Sequence, residues 1–445
     1  MKYILSCLLI FINLLNLSAQ SIHSKIDSLI QAYAAINKFN GNIVITRYGK
    51  TIIEGSYGYR DISKKIKLSG DDTFQIASLT KTFTAVLILK LIEEKQLSLD
   101  TRITEFFPKI HPETNITIAH LLNHTSGIRE VLRNESFKQR IISGKKTDRK
   151  ELVMYFSTQP LDFEPGSTFS YSNSGYDLLG FVAERVTGMD YGSAVKRYLF
   201  TPLGMTGSGF DYLRFKGSKK TVPYEYISTR RQVLAPIWDW SWTGASGGLY
   251  TNMDDLLKWN DALKYNRVIS ANSLEKSYER IQGDYGLGWF IDSYYGKTVA
   301  YHPGNLEGAT SYFGRIPQDD ICIIMLINQT STWIETIAAK LIAILYEKPY
   351  TLPVPKQSVE LSPEMLKRYA GRYDVSSAYQ TVILLLNNQL YLQTAGQKPF
   401  RIYAENENKF FVEDSNMSIA ISADKAGKLT LVIRDGLTTK SGEHL

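Results

Sequence analysis

Residues 76–96, IASLTKTFTAVLILKLIEEKQ, combine a serine, a lysine and an apolar helix in one stretch. Ser78 stands three residues before Lys81, so the two side chains share one face of the predicted helix. A serine at a helix start points its hydroxyl group and its own N–H into the partial positive field of the N-terminus. Residues 82–96 are apolar on several faces, which is typical of a buried helix. Burial favours neutral lysine, so Lys81 is a candidate base near neutral pH.

The serine–lysine spacing is not selective by itself. It recurs at Ser143–Lys146, Ser193–Lys196, Ser273–Lys276 and Ser422–Lys425. These four pairs lie in charged or polar surroundings, which are typical of surface turns and helices. Only Ser78 follows a polar-to-apolar lead-in, Phe74–Ala77, and precedes a buried helix. The context therefore selects Ser78 as the candidate nucleophile.

A second motif, Tyr171-Ser172-Asn173, lies in the turn-rich loop 164–175 (EPGSTFSYSNSG), before an apolar helix predicted over Tyr176–Val186. Polar groups displayed on a loop between rigid elements are typical of functional sites. A phenol titrates near ~10, so Tyr171 needs a cation such as Lys81 to share its proton. A structural, half-buried tyrosine is the alternative. The same spacing at Tyr250–Asn252 indicates a helix start with Asn252 as its N-cap.

A third motif, His302-Pro303-Gly304, lies between strands predicted over Lys297–Tyr301 and Gly308–Arg315. Asp320–Leu326 is a further predicted strand. Glycine on an edge strand lets a substrate backbone come close, and proline, which cannot donate a ladder hydrogen bond, marks an edge or a bulge. A structural role for His302 is the alternative.

These motifs, in this order, resemble those of the serine β-lactamase and penicillin-recognising family, and within it the class C β-lactamases and related esterases and D-alanyl-D-alanine peptidases. The resemblance extends over roughly residues 24–347. It includes Ile76–Lys81, Leu121–Gly127 (LLNHTSG), Pro202–Met205 (PLGM), Gly244–Thr251 (GASGGLYT) and Tyr285–Trp289 (YGLGW). It implies an α+β fold: a mostly antiparallel sheet flanked by helices, a helical subdomain, and an active site between them.

The resemblance also implies roles for individual residues. Ser78 is expected to be the acylated nucleophile, and Lys81 to share or remove its proton. Tyr171 is expected to act as the base for attack and then to protonate the leaving group. Asn173 is expected to bind the substrate or to hold Lys81. The oxyanion is expected between the backbone N–H groups of Ser78 and Asn305.

The third motif departs from the class C β-lactamases, which carry a lysine at its first position. Here His302 stands in that place, and its ordinary pKa of ~6.5 makes it mostly neutral at neutral pH. We expect His302 and Gly304 to bind substrate, with a weaker grip on a substrate carboxylate. This departure favours an ester- or peptide-hydrolysing enzyme over an efficient β-lactamase.

Other residues that could carry chemistry have structural interpretations. His124 is expected to be structural, because the chemistry of the family uses no histidine base. Trp238, Trp240 and Trp242 could line an acyl-side groove or simply pack in a core or loop. Six scattered histidines without an HExxH-like pair or a cysteine cluster predict no metal site and no cofactor.

The N-terminus predicts export. Residues 1–20 contain one lysine, an apolar run and small residues before the expected cleavage point, as in a signal peptide. Cys7 lies in that segment, so the mature chain keeps only Cys322 and has no internal disulfide. We expect a secreted or periplasmic bacterial protein with no stable membrane insertion. The formal net charge of +7 is mild for 445 residues and predicts no nucleic-acid partner.

The C-terminal part has a different character. We predict a serine hydrolase domain over residues 21–347, a proline-rich linker at 348–359 and a small β-rich domain over 360–445. Strand-like runs at Thr381–Leu386 and Gln389–Gln393 flank Asn387-Asn388, a hairpin signal. This domain resembles the β-meander or lipocalin-like appendage of some family members, and its role stays open.

Two classes of function follow. The first is a secreted serine hydrolase that forms a Ser78 acyl-enzyme with ester, amide or D-amino-acid peptide substrates, which include fragments of the cell wall. The second is a binding protein that senses cell-wall fragments without turnover. The filled catalytic positions favour the enzyme. The sequence gives no prediction of the oligomeric state.

Overall fold

The protein is described here by a computed structural model that covers residues 22–228, 231–376, 379–394, 399–412, 417–435 and 438–445. The chain divides into two compact units. The larger comprises residues up to Thr330 with Ala338–Tyr350, and the smaller comprises Ser331–Ile337 and Thr351–Leu445. The predicted signal peptide lies outside the described residues, and the predicted linker stays a prediction.

A six-stranded antiparallel sheet forms the centre of the larger unit. The strands of this unit are β1 (Gly41–Arg47), β2 (Lys50–Tyr57), β3 (Tyr59–Asp61), β4 (Ile66–Lys67), β5 (Phe74–Gln75), β6 (Gly209–Phe210), β7 (Tyr224–Ile227), β8 (Gln232–Leu234), β9 (Leu249–Thr251), β10 (Phe290–Tyr294), β11 (Lys297–Leu306), β12 (Ala309–Ile316) and β13 (Ile321–Ile327). The sheet order is β10-β11-β12-β13-β1-β2. Strand β1 therefore pairs with its sequence neighbour β2 and with β13 from the far end of the unit.

Helices cover this sheet and build the rest of the unit. They are α1 (residues 22–35), α2 (Thr80–Glu93), α3 (Ile118–Leu122), α4 (Glu135–Ile142), α5 (Arg149–Thr158), α6 (Asn173–Thr187), α7 (Tyr191–Val195), α8 (Thr201–Leu203), α9 (Trp240–Gly247), α10 (Met253–Lys264), α11 (Ala271–Ser277) and α12 (Ile334–Leu345). On one face of β13, Ile324 packs in the core that also holds Phe83 of α2 and Trp259 of α10. Every residue of β13 is buried, so both faces of the sheet are covered.

Several predicted elements are confirmed, and one differs. The predicted helix over Tyr176–Val186 is α6, and it begins earlier because Ser172 Oγ accepts a hydrogen bond from the Gly175 N–H at 3.2 Å. Asn252 caps α10 as expected. The motif His302-Pro303-Gly304, however, lies within the continuous strand β11 instead of between two strands. Because β10 pairs only with Lys297–Tyr301, residues 302–306 have no β10 partner on that edge, where proline is tolerated.

The smaller unit is β-rich, which confirms the prediction for the C-terminal region. It contains α13 (Pro363–Tyr369), β14 (Gly371–Ser376), β15 (Tyr379–Leu386), β16 (Gln389–Thr394), β17 (Phe400–Arg401), β18 (Tyr403–Ala404), β19 (Lys409–Phe411), β20 (Ser418–Ala423), β21 (Leu429–Asp435) and β22 (Thr438–His444). The antiparallel order is β17-β16-β15-β14-β22-β21-β20-β19-β18. Only Ile402 separates β17 from β18, so the sheet curls until its two ends meet around a core of aliphatic and aromatic side chains.

Two general features complete the fold. In the part of the chain that the structure describes, no helix has the length and apolar character needed to cross a membrane. The predicted hairpin between β15 and β16 is present, and both Asn387 and Asn388 adopt positive φ angles, 50° and 56°, as a type I′ turn requires.

Strand β11 packs directly on the turn that carries Ser78. A Cβ atom on Gly304 would lie 2.2 Å from the Ile76 carbonyl oxygen and 2.4 Å from Ser311 Oγ. Ser311 Oγ on β12 in turn donates a hydrogen bond of 2.7 Å to the same Ile76 oxygen. The absence of a side chain at Gly304 therefore lets the sheet edge approach the turn before α2.

We predict that Gly304→Ala destabilises the larger unit by about 1–3 kcal/mol, the usual range for overpacking a filled core. The reason is that the new methyl group meets backbone atoms, which must shift. Urea unfolding measures the change. Gly70→Ala is the matched control, because its Cβ meets only the flexible Glu54 carboxylate at 3.3 Å. Equal unfolding midpoints for the two variants would contradict the prediction.

Candidate active site

The candidate nucleophile Ser78 lies in a short 3₁₀ turn, Ala77–Leu79, immediately before α2. Ala77 has a φ angle of 47°, a left-handed conformation that is uncommon outside glycine. The turn is held from outside, because Thr80 Oγ1 accepts a hydrogen bond from the Leu249 N–H at 3.1 Å. Ser78 is half-buried, whereas the residues on either side of it are buried. The local backbone therefore presents this serine to the surface of the site.

Lys81 is fully buried and makes three hydrogen bonds through Nζ. The acceptors are Ser78 Oγ at 3.0 Å, Asn173 Oδ1 at 2.8 Å and the Ser246 carbonyl oxygen at 2.8 Å. Burial lowers the pKa of Lys81 to about 7, and the nearby carboxylates of Asp177 and Glu130 oppose that shift. Both the ammonium and the neutral amine are therefore accessible near neutral pH. The neutral amine has a lone pair that can accept the Ser78 proton.

Two buried carboxylates that the sequence analysis missed lie beside this lysine. Glu130 accepts hydrogen bonds from the backbone N–H groups of Asn173 and Ser174, at the positive N-terminus of α6. Asp177, one turn further along α6, accepts from the Ser246 N–H at 3.3 Å. Burial raises the pKa of Asp177 well above its usual value, and the charge of Glu130 raises it further. The spacing of Asn173 and Asp177, four residues apart on one helix face, was the available signal.

Tyr171 meets the nucleophile from the other side. Its side chain lies beside Ser78, and burial holds the pKa of the phenol above its usual value. Its ring stacks on Phe290 with an interplanar angle of 11° and a centroid distance of 6.0 Å. Lys81 Nζ lies 4.8 Å from the centre of the Tyr171 ring, over its face. Tyr171 and Lys81 therefore both lie beside Ser78.

His302 is buried, and both of its ring nitrogens are occupied. Nδ1 donates to the Pro303 carbonyl oxygen at 2.6 Å, so Nε2 accepts from the Tyr285 hydroxyl at 3.0 Å. Burial, with a smaller contribution from Lys81, lowers the pKa of His302 to about 3. The ring is therefore neutral near neutral pH, as expected from the sequence. Its direct contact with a substrate stays a prediction.

The other predicted binding residues lie along β11. Gly304 is buried against the Ser78 turn, whereas Asn305 is exposed on the strand segment beyond the end of β10. Asn305 Oδ1 accepts a hydrogen bond from the Thr310 hydroxyl at 3.1 Å, which fixes the side chain toward β12. The structure thus brings the sheet edge beside the nucleophile. The roles of Asn305 and Ser78 as oxyanion donors stay predictions.

The three tryptophans separate into two groups. Trp242 is buried, and its indole Nε1 donates a hydrogen bond of 2.6 Å to the Lys145 carbonyl oxygen. Trp238 and Trp240 are half-buried and line a small cavity together with Gln75 and Asp211. Core packing therefore accounts for Trp242, and only Trp238 and Trp240 border open space. Within the described ranges, no group of three or more His, Cys, Asp or Glu residues is arranged to hold a metal ion.

Known proteins share both sequence and fold with this chain. Penicillin-binding protein 4* of Bacillus subtilis (strain 168) is 26% identical over 444 residues, which cover 94% of this chain and 98% of that protein. The octameric penicillin-binding protein homologue from Pyrococcus abyssi has a TM-score of 0.65 at 23% identity, covering 94% of this chain and 99% of its own. A D-stereospecific amidohydrolase from Streptomyces sp. has a TM-score of 0.61 at 25% identity, covering 69% and 94%.

The antiparallel sheet, its flanking helices and the serine–lysine–tyrosine cluster define a β-lactamase/transpeptidase-like protein. The chain belongs to the Beta-lactamase family, whose sequence model matches residues 26–347. The predicted fold class and the predicted membership of a β-lactamase-related serine hydrolase family are thereby confirmed.

We predict that the rate at which a fluorophosphonate labels Ser78 rises with pH across a midpoint at about 7, because only neutral Lys81 can accept the proton. Labelling is followed by intact-mass spectrometry. Glu130→Gln removes a carboxylate that raises the pKa of Lys81, so it shifts the midpoint to lower pH. A rate that does not change across neutral pH, or a Glu130→Gln shift to higher pH, would contradict this prediction.

Proposed function

We propose that the protein is a serine hydrolase that forms an acyl-enzyme on Ser78 with ester, amide or D-amino-acid peptide substrates. The observation that carries this proposal is the position of Ser78 Oγ, 3.0 Å from the amine of Lys81, with the side chain of Tyr171 beside Ser78. A nucleophile needs a base within hydrogen-bond reach, and a leaving group needs a proton donor. Lys81 and Tyr171 supply these two partners beside Ser78.

The pKa directions support the following proton transfers in acylation. Lys81, with a pKa of about 7, removes the Ser78 proton as Oγ bonds to the substrate carbonyl carbon. Tyr171 is the protonated phenol, because its pKa lies above the usual value, so it donates its proton to the leaving group. This proposed order differs from the expectation that Tyr171 acts as the base for attack. The oxyanion accepts hydrogen bonds from the backbone N–H groups of Ser78 and Asn305. Each such donor stabilises the transition state by ~2.7–4 kcal/mol.

Deacylation returns each group to its starting state. The Tyr171 phenolate takes a proton from the attacking water, whose oxygen bonds to the acyl carbon. The bond from that carbon to Ser78 Oγ breaks, and the Lys81 ammonium returns a proton to Oγ. Lys81 Nζ lies 4.8 Å from the centre of the Tyr171 ring, so its positive charge stabilises the phenolate between the two steps.

The third motif offers no positive charge to a substrate carboxylate. His302 is neutral and has no free nitrogen, and Pro303 has no N–H to donate. This part of β11 therefore offers backbone groups and the Asn305 amide, without a fixed positive charge. A substrate carboxylate gains little here, which favours esters and amides over β-lactams. The similarity to a D-stereospecific amidohydrolase and to penicillin-binding proteins supports D-configured substrates.

The proposal includes the cellular location of the protein and its domain boundaries. We propose a leader at residues 1–20 that directs export to the periplasm or the exterior, where cell-wall peptides are available. The hydrolase domain is placed at residues 21–347, followed by the linker 348–359 and the β-rich domain 360–445. The sequence of the leader and the similarity to penicillin-binding proteins support this location.

A binding or sensing protein without turnover is the second candidate. It would keep the pocket and need no proton transfer. The buried lysine with a pKa of about 7 favours the enzyme, because a lysine that only holds a ligand anion works best when fully charged.

We predict that fluorophosphonate and penicillin distinguish these functions by intact-mass spectrometry. The enzyme forms a fluorophosphonate adduct that Ser78→Ala abolishes, because Ser78 supplies the nucleophile. Ser143→Ala is the matched control: it has the same spacing to a lysine, Lys146, but its hydroxyl only donates to the Arg140 carbonyl oxygen at 3.0 Å. A folded protein that forms no adduct with either reagent supports the binding protein.

We also predict that kcat/KM is higher for D-amino-acid amides and esters than for penicillin, because the third motif, His302-Pro303-Gly304, carries no fixed cation. The measurement is a substrate panel with matched D- and L-isomers. Tyr171→Phe should lower kcat by ~10²–10⁴-fold, the range for a positioned acid or base. A panel on which penicillin is the best substrate would refute the proposed substrate class.

A further inference from the structure

One residue, His124, binds the backbone on both sides of Tyr171. Its carbonyl oxygen accepts a hydrogen bond from the Ser170 N–H at 2.9 Å. Its ring nitrogen Nδ1 accepts one from the Ser172 N–H at 3.1 Å. The His124 and Tyr171 rings are also in contact, with centroids 4.3 Å apart and an interplanar angle of 37°. Three separate contacts therefore fix the position and the orientation of the phenol.

The chemistry of these contacts requires a neutral imidazole. Because a backbone N–H can only donate, Nδ1 carries no proton and the hydrogen is on Nε2. The ring is 1% exposed, and Nε2 has no hydrogen-bond partner among the described residues. Tyr176 and Tyr285 also surround it, at centroid distances of 5.0 Å and 4.6 Å. Burial, together with the charge of Lys81, holds the pKa of His124 well below its usual value.

The backbone of His124 is unusual as well. Its φ angle is 61°, in the left-handed region, which is uncommon outside glycine and is adopted more often by asparagine, aspartate and histidine than by other residues. This conformation lets the carbonyl group and the side chain of one residue point to the same neighbouring segment. A strained backbone and an unsatisfied buried N–H both reduce stability. Despite this cost in stability, the arrangement gives Tyr171 a defined geometry.

We infer that His124 is a positioning residue for proton transfer by Tyr171, which it holds beside Ser78. The imidazole takes no proton in the reaction, because its one basic nitrogen is bound to the Ser172 N–H and its ring is enclosed. This inference rests on the proposed function, in which Tyr171 donates a proton to the leaving group. Its effect therefore belongs to kcat and not to substrate affinity.

Substitutions at His124 test whether the acceptor at Nδ1 is what matters. His124→Asn places an oxygen close to the position of Nδ1 and tolerates a left-handed backbone. His124→Gln carries the same amide group one bond further out, and His124→Leu keeps the volume without an acceptor. We expect kcat to fall ~10²-fold in His124→Leu and His124→Gln, with KM nearly unchanged. This loss is the lower end of the range for removing a positioned acid. His124→Asn should recover most of kcat.

A double-mutant cycle with Tyr171→Phe separates positioning from a general structural role. If His124 acts through Tyr171, His124→Leu has little further effect on kcat once the phenol hydroxyl is absent. His111→Leu is the matched control, since His111 is also buried with a positive φ angle of 42°, and its ring pairs with the exposed Glu113. It should alter thermal stability without changing kcat of the folded enzyme.

Several outcomes would overturn the inference. Equal kcat losses from His124→Leu in the wild-type and Tyr171→Phe backgrounds would show an effect that does not pass through Tyr171. An Asn variant that is folded but as slow as the Gln variant would show that the Nδ1 acceptor is irrelevant. Full activity of Tyr171→Phe would instead remove the proposed role of Tyr171, a failure that the single Tyr171 variant reveals by itself.

Discussion

The burial of one amine, Nζ of Lys81, is the constraint on which the site depends. A buried ammonium without partners is strongly destabilising, so the fold must bring hydrogen-bond acceptors to it. Three segments far apart in the chain do so: the turn with Ser78, the start of α6 at Asn173 and the carbonyl group of Ser246 in α9. The same contacts that satisfy the lysine therefore assemble the nucleophile and the binding amide around it.

The glycine-rich segment before β9 follows from that constraint. Gly244 has a φ angle of 37°, and a Cβ there would lie 2.5 Å from Asp177 Oδ1. A side chain at this position would push α9 away from α6 and remove the Ser246 oxygen from the lysine. The carboxylates of Glu130 and Asp177 then oppose the effect of burial on the lysine pKa. Buried ion pairs contribute little net stability, so this cluster is better explained by the titration of Lys81 than by folding.

The sequence predicted the elements and motifs well, because they depend on local patterns. Each of three predicted features depends on residues that are close together in the chain: the serine–lysine spacing, the Asn252 cap and the Asn387-Asn388 hairpin. The contributions of Glu130 and His124 could not be predicted, because each binds backbone N–H groups more than forty positions away. No local sequence pattern indicates a hydrogen bond between such distant residues. For the same reason the sequence indicated the neutral His302 but not the Tyr285 hydroxyl that fixes its tautomer.

The position of β1 in the central sheet has a consequence for how the chain folds during synthesis. One edge of β1 pairs with β2, but its other edge stays unpaired until β13 is available, almost at the end of the larger unit. Such a contact between distant segments is slow to form and leaves an open strand edge in the growing chain. The larger unit of the nascent protein therefore stays incompletely folded until residue 327 has left the ribosome.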